Sequence, residues 1–311
     1  MKPFGCAAMK SLLASIALLP AALASANDAV LPPAQQELFD AERAFVRLAA
    51  EQGFRDSFYA YFAEDGIAFN PLPFHVRTVL AGEASTPAPM GAVWAPVYGD
   101  ISAAGDLGWN TGPLVFAGRA GEPDRHGMFF SVWKRQADGA FKVVLDIGSD
   151  TPSAVVPLDE AAHSSWRGGA GPAAAVDVAA ETAKLLEVER AFLATAASKN
   201  LGRAYGSRLA DEARVHRPGA MPVVGRSALV SWANLQTGTI NGEPLFADVS
   251  KSGDLGYAYG SFAASGDAPE AGYWARVWKK DARGDWRIFM DTVSPLPAGV
   301  KPLTQPPSRR E

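Results

Sequence analysis

Apolar residues first recur at helical spacing. Leu38, Phe45 and Ala49 fall on one stripe, and Glu42 sits on it between Leu38 and Phe45. Gly53 ends the stripe. Phe54, Phe58 and Phe62 predict a second, short helix, and Ile67–Asn70 a short strand. The period then falls to two, in segments centred on 107–117, 126–136 and 141–149. Gly121 and Asp138-Gly139 mark the turns between them. Helices followed by an antiparallel meander predict an α+β fold, with the helices on one face of a curved sheet.

The pattern occurs twice. AERAFVRLAA (41–50) answers to VERAFLATAA (188–197), and FYAYFAEDGIAFNP (58–71) to YGSRLADEARVHRP (205–218) without a gap. AAGDLGWNTGPLVF (103–116) answers to KSGDLGYAYGSFAA (251–264). SVWKRQADGAFKVVLDIGSDTP (131–152) answers to RVWKKDARGDWRIFMDTVSPLP (276–297). Units of this size are domains rather than short-period solenoid repeats, and duplication is the plain reading. The expected boundaries are 34–150 and 178–297, joined by a Pro-, Gly- and Ala-rich linker at 151–177. Residues 298–311 form a Pro-rich, charged tail expected to be disordered.

The order helix, helix, short strand and meander, closing on VWKR…DG-x-(F/W)-(K/R)-(V/I), resembles the nuclear-transport-factor-2-like superfamily. The likeness points to its SnoaL-like and DUF4440 members, among which ketosteroid isomerases and polyketide cyclases also fall. The resemblance covers both repeats. It implies two tandem cone-shaped domains, each with a cavity between helices and sheet. Members often pair sheet to sheet as homodimers, so it also implies a pseudo-two-fold dimer within one chain. In the steroid isomerases the short strand carries the catalytic Asp just before a Pro. Here Asn70-Pro71 and Arg217-Pro218 stand at that place. Asn does not titrate and Arg stays protonated, so that mechanism does not transfer.

Composition narrows the rest. The 311 residues are 48% hydrophobic and 20% charged, with a net charge of -4. A basic footprint for nucleic acid is missing. Lys2 and Lys10 precede SLLASIALLPAALASA, which ends in a small-x-small pattern, so residues 1–26 read as a signal peptide. Secretion, to the periplasm of a Gram-negative bacterium, follows as the expected location, with no stable membrane anchor after cleavage. Cleavage removes Cys6, the only cysteine, and with it thiol chemistry and disulfides. The four histidines (His75, His126, His163 and His216) show no metal-site spacing. G-x-S-x-G, G-x-G-x-x-G and a phosphate loop are missing too, so no metal and no cofactor are expected.

Candidate chemistry rests on residues that break the pattern. Glu42 and Glu189 place carboxylates on apolar stripes, where burial raises the pKa or a partner is needed. Asp146 and Asp291 end the last strand of each repeat. Simple alternation groups Asp146 with Lys142 and Val144, and Asp291 with Arg287 and Phe289. His216-Arg217 offers an anion site, with Arg276 on the strand before Asp291. Trp109, Tyr257 and Tyr259 suit a pocket wall or a core. Trp133 and Trp278 suit the core. The Gly-Asp pair of each GDLG is turn chemistry, and Gly108 and Gly256 relieve a bent strand. Three functions remain open: a binding protein for a small anionic or apolar molecule; an isomerase, cyclase or dehydratase with Asp291 or Glu189 as acid/base; and a protein-interaction module.

Overall fold

The computed structural model describes residues 31–85, 91–118, 121–155, 176–198, 201–236, 238–265 and 270–308. Residues 1–26, expected to be a signal peptide, and most of the expected linker lie outside the described residues. Among the described residues no helix is long and apolar enough to cross a membrane.

The first half opens with α1 (Pro33–Tyr61), which has proline at its start and a break at Gly53 (φ 83°). Its buried stripe includes Leu38, Glu42, Phe45 and Ala49. The helix passes straight into β1 (Phe62–Phe69), so Phe62 opens a strand instead of closing a helix. Then follow β2 (Pro73–His75), α2 (Val76–Leu80), β3 (Ala92–Trp94) and β4 (Tyr98–Ile101). The meander is β5 (Leu107–Phe116), β6 (Arg125–Arg135) and β7 (Phe141–Thr151), close to the predicted segments.

The second half runs α3 (Val178–Ala197), α4 (Leu201–Arg208), β8 (Leu209–His216), β9 (Val223–Val224) and α5 (Arg226–Asn234). Its remaining strands are β10 (Ile240–Val249), β11 (Leu255–Ala264), β12 (Glu270–Lys280) and β13 (Trp286–Pro295). Asp177 caps α3, its carboxylate accepting from Ala180 N at 3.1 Å.

The first sheet has the order β2-β1-β7-β6-β5-β3, with β4 also on β5. Read from β9, the second sheet is β9-β8-β13-β12-β11-β10, the same plan. The β1–β7 and β8–β13 pairs are parallel, and the other pairs antiparallel.

Both last strands carry a register shift beside their carboxylate. Val132 pairs with Leu145 but Trp133 with Val143, so Val144 is the extra residue. Val277 pairs with Met290 but Trp278 with Ile288, so Phe289 is extra. The bulge breaks the expected alternation: Asp146 shares a face with Val143, and Asp291 with Ile288. Those faces turn to the helices, opposite Ser131 and Trp133 in one half and Arg276 and Trp278 in the other.

The opposite faces of the two sheets meet. One buried cluster joins Tyr98, Trp109, Phe130, Val132 and Ile147 of the first half to Tyr257, Tyr259, Val277 and Met290 of the second. Residues from Leu31 onward form one compact unit. The two GDLG turns clasp across this seam. Asp106 Oδ2 accepts from Lys251 N at 3.0 Å, and Asp254 Oδ2 accepts from Ala103 N at 3.1 Å. Ala103 and Lys251 are equivalent positions, so the exchange is reciprocal. Lys279 donates to Asp100 at 2.6 Å, and its counterpart Lys134 donates to Asp248. Gly108 and Gly256 answer to the helices. A Cβ there would lie 2.4 Å from Leu38 Cδ1 and 2.7 Å from Leu185 Cδ2. Residues 298–308 hold no helix or strand and make two contacts with the rest of the chain. Leu303 N donates to Tyr273 Oη at 2.7 Å, and His75 Nε2 lies 3.0 Å from Pro307 O.

Asp254→Ala removes the acceptor for Ala103 N and for Ser250 and Ser252 of its own turn. The expected cost is about 1–3 kcal/mol, because one part-buried backbone N–H and two hydroxyls lose their acceptor. Urea unfolding checks it through a lower midpoint at unchanged slope.

Candidate functional site

In the second half α3 carries Glu189 on its buried stripe, four residues from Leu185. The side chain is fully buried and meets the helix-facing side of the sheet. Trp278 Nε1 donates to Glu189 Oε1 at 2.6 Å, and Arg276 Nη1 to Oε2 at 2.9 Å. Arg276 Nε donates to Asp291 Oδ2. Arg217 Nη2 lies 2.7 Å from Asp291 Oδ1. Tyr205 Oη donates to Asp291 Oδ2 at 3.0 Å and accepts from Arg217 Nη2 at 2.8 Å. Arg276 thus bridges the two carboxylates, and Arg217 and Tyr205 complete the shell of Asp291.

The electrostatics follow from that network. Burial would raise Asp291, but Arg276 and Arg217 outweigh it and hold the carboxyl below its usual range. Burial wins at Glu189 and raises it, with Arg276 and Trp278 opposing. Burial and the Asp291 charge push the Tyr205 phenol up to about 12, so it stays a neutral donor. The Arg276 guanidinium lies 4.5 Å from the Phe192 ring centroid and 4.3 Å from that of Trp274. Beside the network lies a cavity of about 450 Å³, with Phe192, Trp232, Phe262, Trp274, Arg217 and Arg276 in its lining. Glu189 and Asp291 lie behind the arginines and do not line it.

The first half keeps the two acids and changes their partners. Glu42 is fully buried and accepts from two indoles, Trp94 Nε1 at 2.7 Å and Trp133 Nε1 at 2.8 Å. Ser131 stands where Arg276 does and donates to Asp146 Oδ2 at 2.8 Å. Burial, with the Asp146 charge adding to it, pushes Glu42 up to about 7 against the pull of its indole donors. Burial pushes Asp146 up to about 6, with Ser131 opposing. A smaller cavity of about 220 Å³ reaches Asp146 and Asn70.

The structure therefore brings together Glu189, Arg217, Arg276 and Asp291, and separately Glu42 and Asp146. It sets His216, Tyr257, Tyr259 and Trp109 elsewhere. His216 precedes Arg217 on an extended chain, so the two point to opposite faces. His216 shares the face of Arg214, whose guanidinium lies 3.9 Å from the Tyr98 ring centroid of the first half. Burial and then Arg214 push the His216 imidazole down to about 3, so it is neutral and offers an anion no charge. Tyr257 and Tyr259 are buried in the seam, their phenols raised by burial. Phe69 of the first half packs 5.9 Å from Tyr259, ring to ring. Trp109 packs on Tyr98 and Phe130 at 5.4 and 6.1 Å. Trp133 and Trp278 are core residues and carboxylate donors at once. Sequence reasoning missed Tyr205, Trp232, Trp274, Trp94 and Ser131. The gapless match of 58–71 to 205–218 pairs Phe58 with Tyr205, and that one added hydroxyl was the available signal. Among the described residues no group of His, Cys, Asp and Glu could hold a metal ion.

No protein-family model matches the sequence, and no curated protein does. Solved structures similar to part of the chain include a ketosteroid isomerase-like protein from Erwinia carotovora atroseptica. It is 17% identical, the match covers 38% of this chain and 97% of that one, and the TM-score is 0.34. A nuclear transport factor 2-like superfamily protein from Salmonella enterica is 15% identical, with 39% and 96% covered and a TM-score of 0.32. A protein of unknown function described as like nuclear transport factor 2, from Pseudomonas putida, is 16% identical, with 39% and 91% covered and a TM-score of 0.32.

Two expectations follow from the geometry. Arg276→Met leaves Glu189 and Asp291 buried without their shared cation, and should cost about 3–5 kcal/mol in urea unfolding. The second concerns pH. Glu42 and Asp146 have folded-state pKa values raised to about 7 and about 6. The folded protein holds protons that the unfolded chain has released. Their stabilising contribution is therefore full below the usual carboxyl range and is lost as pH rises through about 6 to 7. Asp146→Asn removes one of these titrations and the charge that helps raise Glu42. Between pH 4 and 7.5 the wild type should lose on the order of 3 kcal/mol relative to this variant, as unfolding titrations at each pH would show.

Proposed function

We propose that the chain is a tandem pair of nuclear-transport-factor-2-like units of the SnoaL-like or DUF4440 kind. The units are cone-shaped, closed on one another as a pseudo-two-fold dimer within one chain, and exported by the N-terminal segment. The matching strand orders and the reciprocal GDLG contacts support the pairing. In this reading the second half binds a small molecule with an apolar body and an anionic or strongly accepting end.

The observation that carries the reading is a pair of arginines in a cavity walled by aromatic side chains. Asp291 and Glu189 take Nε and Nη1 of Arg276, which leaves Nη2 for a ligand. Arg217 lies at the cavity with a fifth of its side chain exposed, and it stacks 5.2 Å from the Trp232 ring centroid. The acids fix the two guanidinium forks before any ligand arrives, which lowers the ordering cost of binding. Asp291 works in this scheme as a positioning residue. Held ionised by two arginines and set behind them, it is a poor proton acceptor for a cavity ligand. Steroid-isomerase-type catalysis is left out on that ground, together with Asn70 and Arg217 at the place of the Asp base.

The test is a titration of the full chain with straight-chain and aryl carboxylates and their primary amides, read by tryptophan fluorescence. Trp232 and Trp274 line the cavity and should respond. Carboxylates are expected to bind, and Arg217→Gln to weaken them about tenfold, the loss of one charge-assisted contact. Native mass spectrometry of gently purified protein should show added mass that leaves on denaturation. An unchanged spectrum through the whole series, with no added mass, overturns the reading.

A further inference from the structure

The two halves offer a substitution experiment already carried out inside one chain. In the second half the helix-facing row across β11, β12 and β13 reads Ala258, Arg276, Asp291. In the first half the equivalent row across β5, β6 and β7 reads Asn110, Ser131, Asp146. The other cation is changed too: Arg217 follows β8, and Asn70 follows β1 at the same register. Both arginines are gone, yet the acid they neutralise is kept.

Three observations show what the exchange leaves behind. Asp146 lines a cavity of about 220 Å³ walled by Phe45, Phe58, Trp94 and Phe129, and Asn70 is the other polar side chain in the lining. Ser131 occupies Asp146 Oδ2, and Oδ1 accepts no hydrogen bond among the described residues. At the other end of the row Asn110 is fully buried and its amide reaches Glu42, so within the row Asp146 has Ser131 alone. A cavity-lining acid with one oxygen unengaged and no cation beside it marks an interaction that the polypeptide leaves incomplete.

We propose that the first-half cavity binds a small organic cation, an ammonium or amidinium on a flat apolar body, with its charge on Asp146. The ligand supplies the charge that Arg276 and Arg217 supply in the second half. The cavity's shape fits the rest of the class: aromatic walls favour a flat apolar body and stabilise an adjacent cation. Asn70 Oδ1 gives a second acceptor at the cavity wall. Burial holds Asp146 at about 6, so it is mostly ionised above neutrality and needs no induced deprotonation. The two halves then take ligands of opposite charge, and this site stands independently of the anion site.

The test uses the full chain at pH 7.5 and isothermal titration with benzylammonium, phenethylammonium and benzamidinium. The neutral control is 2-phenylethanol. The cations are expected to bind at least tenfold more tightly than the alcohol, and Asp146→Asn to abolish that preference. Asn70→Arg, which returns the second half's cation while keeping the acid, is expected to weaken cation binding at least tenfold. It sits at the cavity wall, so it serves if Asp146→Asn does not fold. Equal affinity for the alcohol, undiminished binding in either variant, or no cation binding at millimolar concentration overturns the proposal.

Discussion

A carboxylate taken out of water must find its compensation inside the protein, and this constraint organises both halves. Each long helix drives a glutamate into the sheet, and each last strand brings an aspartate near it. An isolated buried charge costs several kcal/mol, so the surrounding residues are chosen to satisfy it. The second half answers with full ion pairing around Arg276. The first half answers with neutral donors, two indoles and one hydroxyl, and with raised pKa values. One design fixes charges rigidly, and the other leaves them able to change.

The sheet lets these polar clusters coexist with a dry seam only because successive residues of a strand face opposite ways. On one side lie acids, arginines and cavities. On the other lie Tyr98, Trp109, Tyr257 and Tyr259, packed between the sheets. The bulge at Val144 and at Phe289 reconciles the two demands. It inserts one residue so that Leu145 and Met290 stay in the seam while Asp146 and Asp291 reach the helix side. The lysines that bridge the seam, Lys134 and Lys279, lie one residue beyond the tryptophans that hold the glutamates. Seam and site are therefore built from adjacent positions of one strand.

The helix stripe with its misplaced glutamate was legible in the sequence, because a period of 3.6 places Glu42 among Leu38, Phe45 and Ala49 whatever the tertiary context. The meander was legible for the same kind of reason. The faces of its last strand were not. Alternation put Asp146 with Val144, and one extra residue undid that grouping, since a bulge has no composition of its own in KVVLD or RIFMD. His216 and Arg217 read as one motif in the sequence, yet a strand separates neighbours that a loop would keep together. Tyr257 and Tyr259 carry polar tips that suit a pocket, and only sheet-on-sheet packing turns them into seam residues. The contacts of the tail with Tyr273 and His75 join residues far apart in sequence, so no local pattern announces them.

The repeated strand plan makes the polar partners informative where one half alone would not. Helix, strand order, bulge, glutamate, aspartate and tryptophan recur, so they belong to the architecture both halves need. Among the differences are the row through Ser131 and Arg276, Asn70 against Arg217, and Phe58 against Tyr205. Each of these differences changes charge or hydrogen bonding beside a cavity, and none touches the clasp of the GDLG turns. The seam is an exchange in which each turn feeds the other, so a change on one side disturbs both. The cavities face away from it and meet no such reciprocity. That separation lets the two halves share one interface while their acids sit in opposite environments.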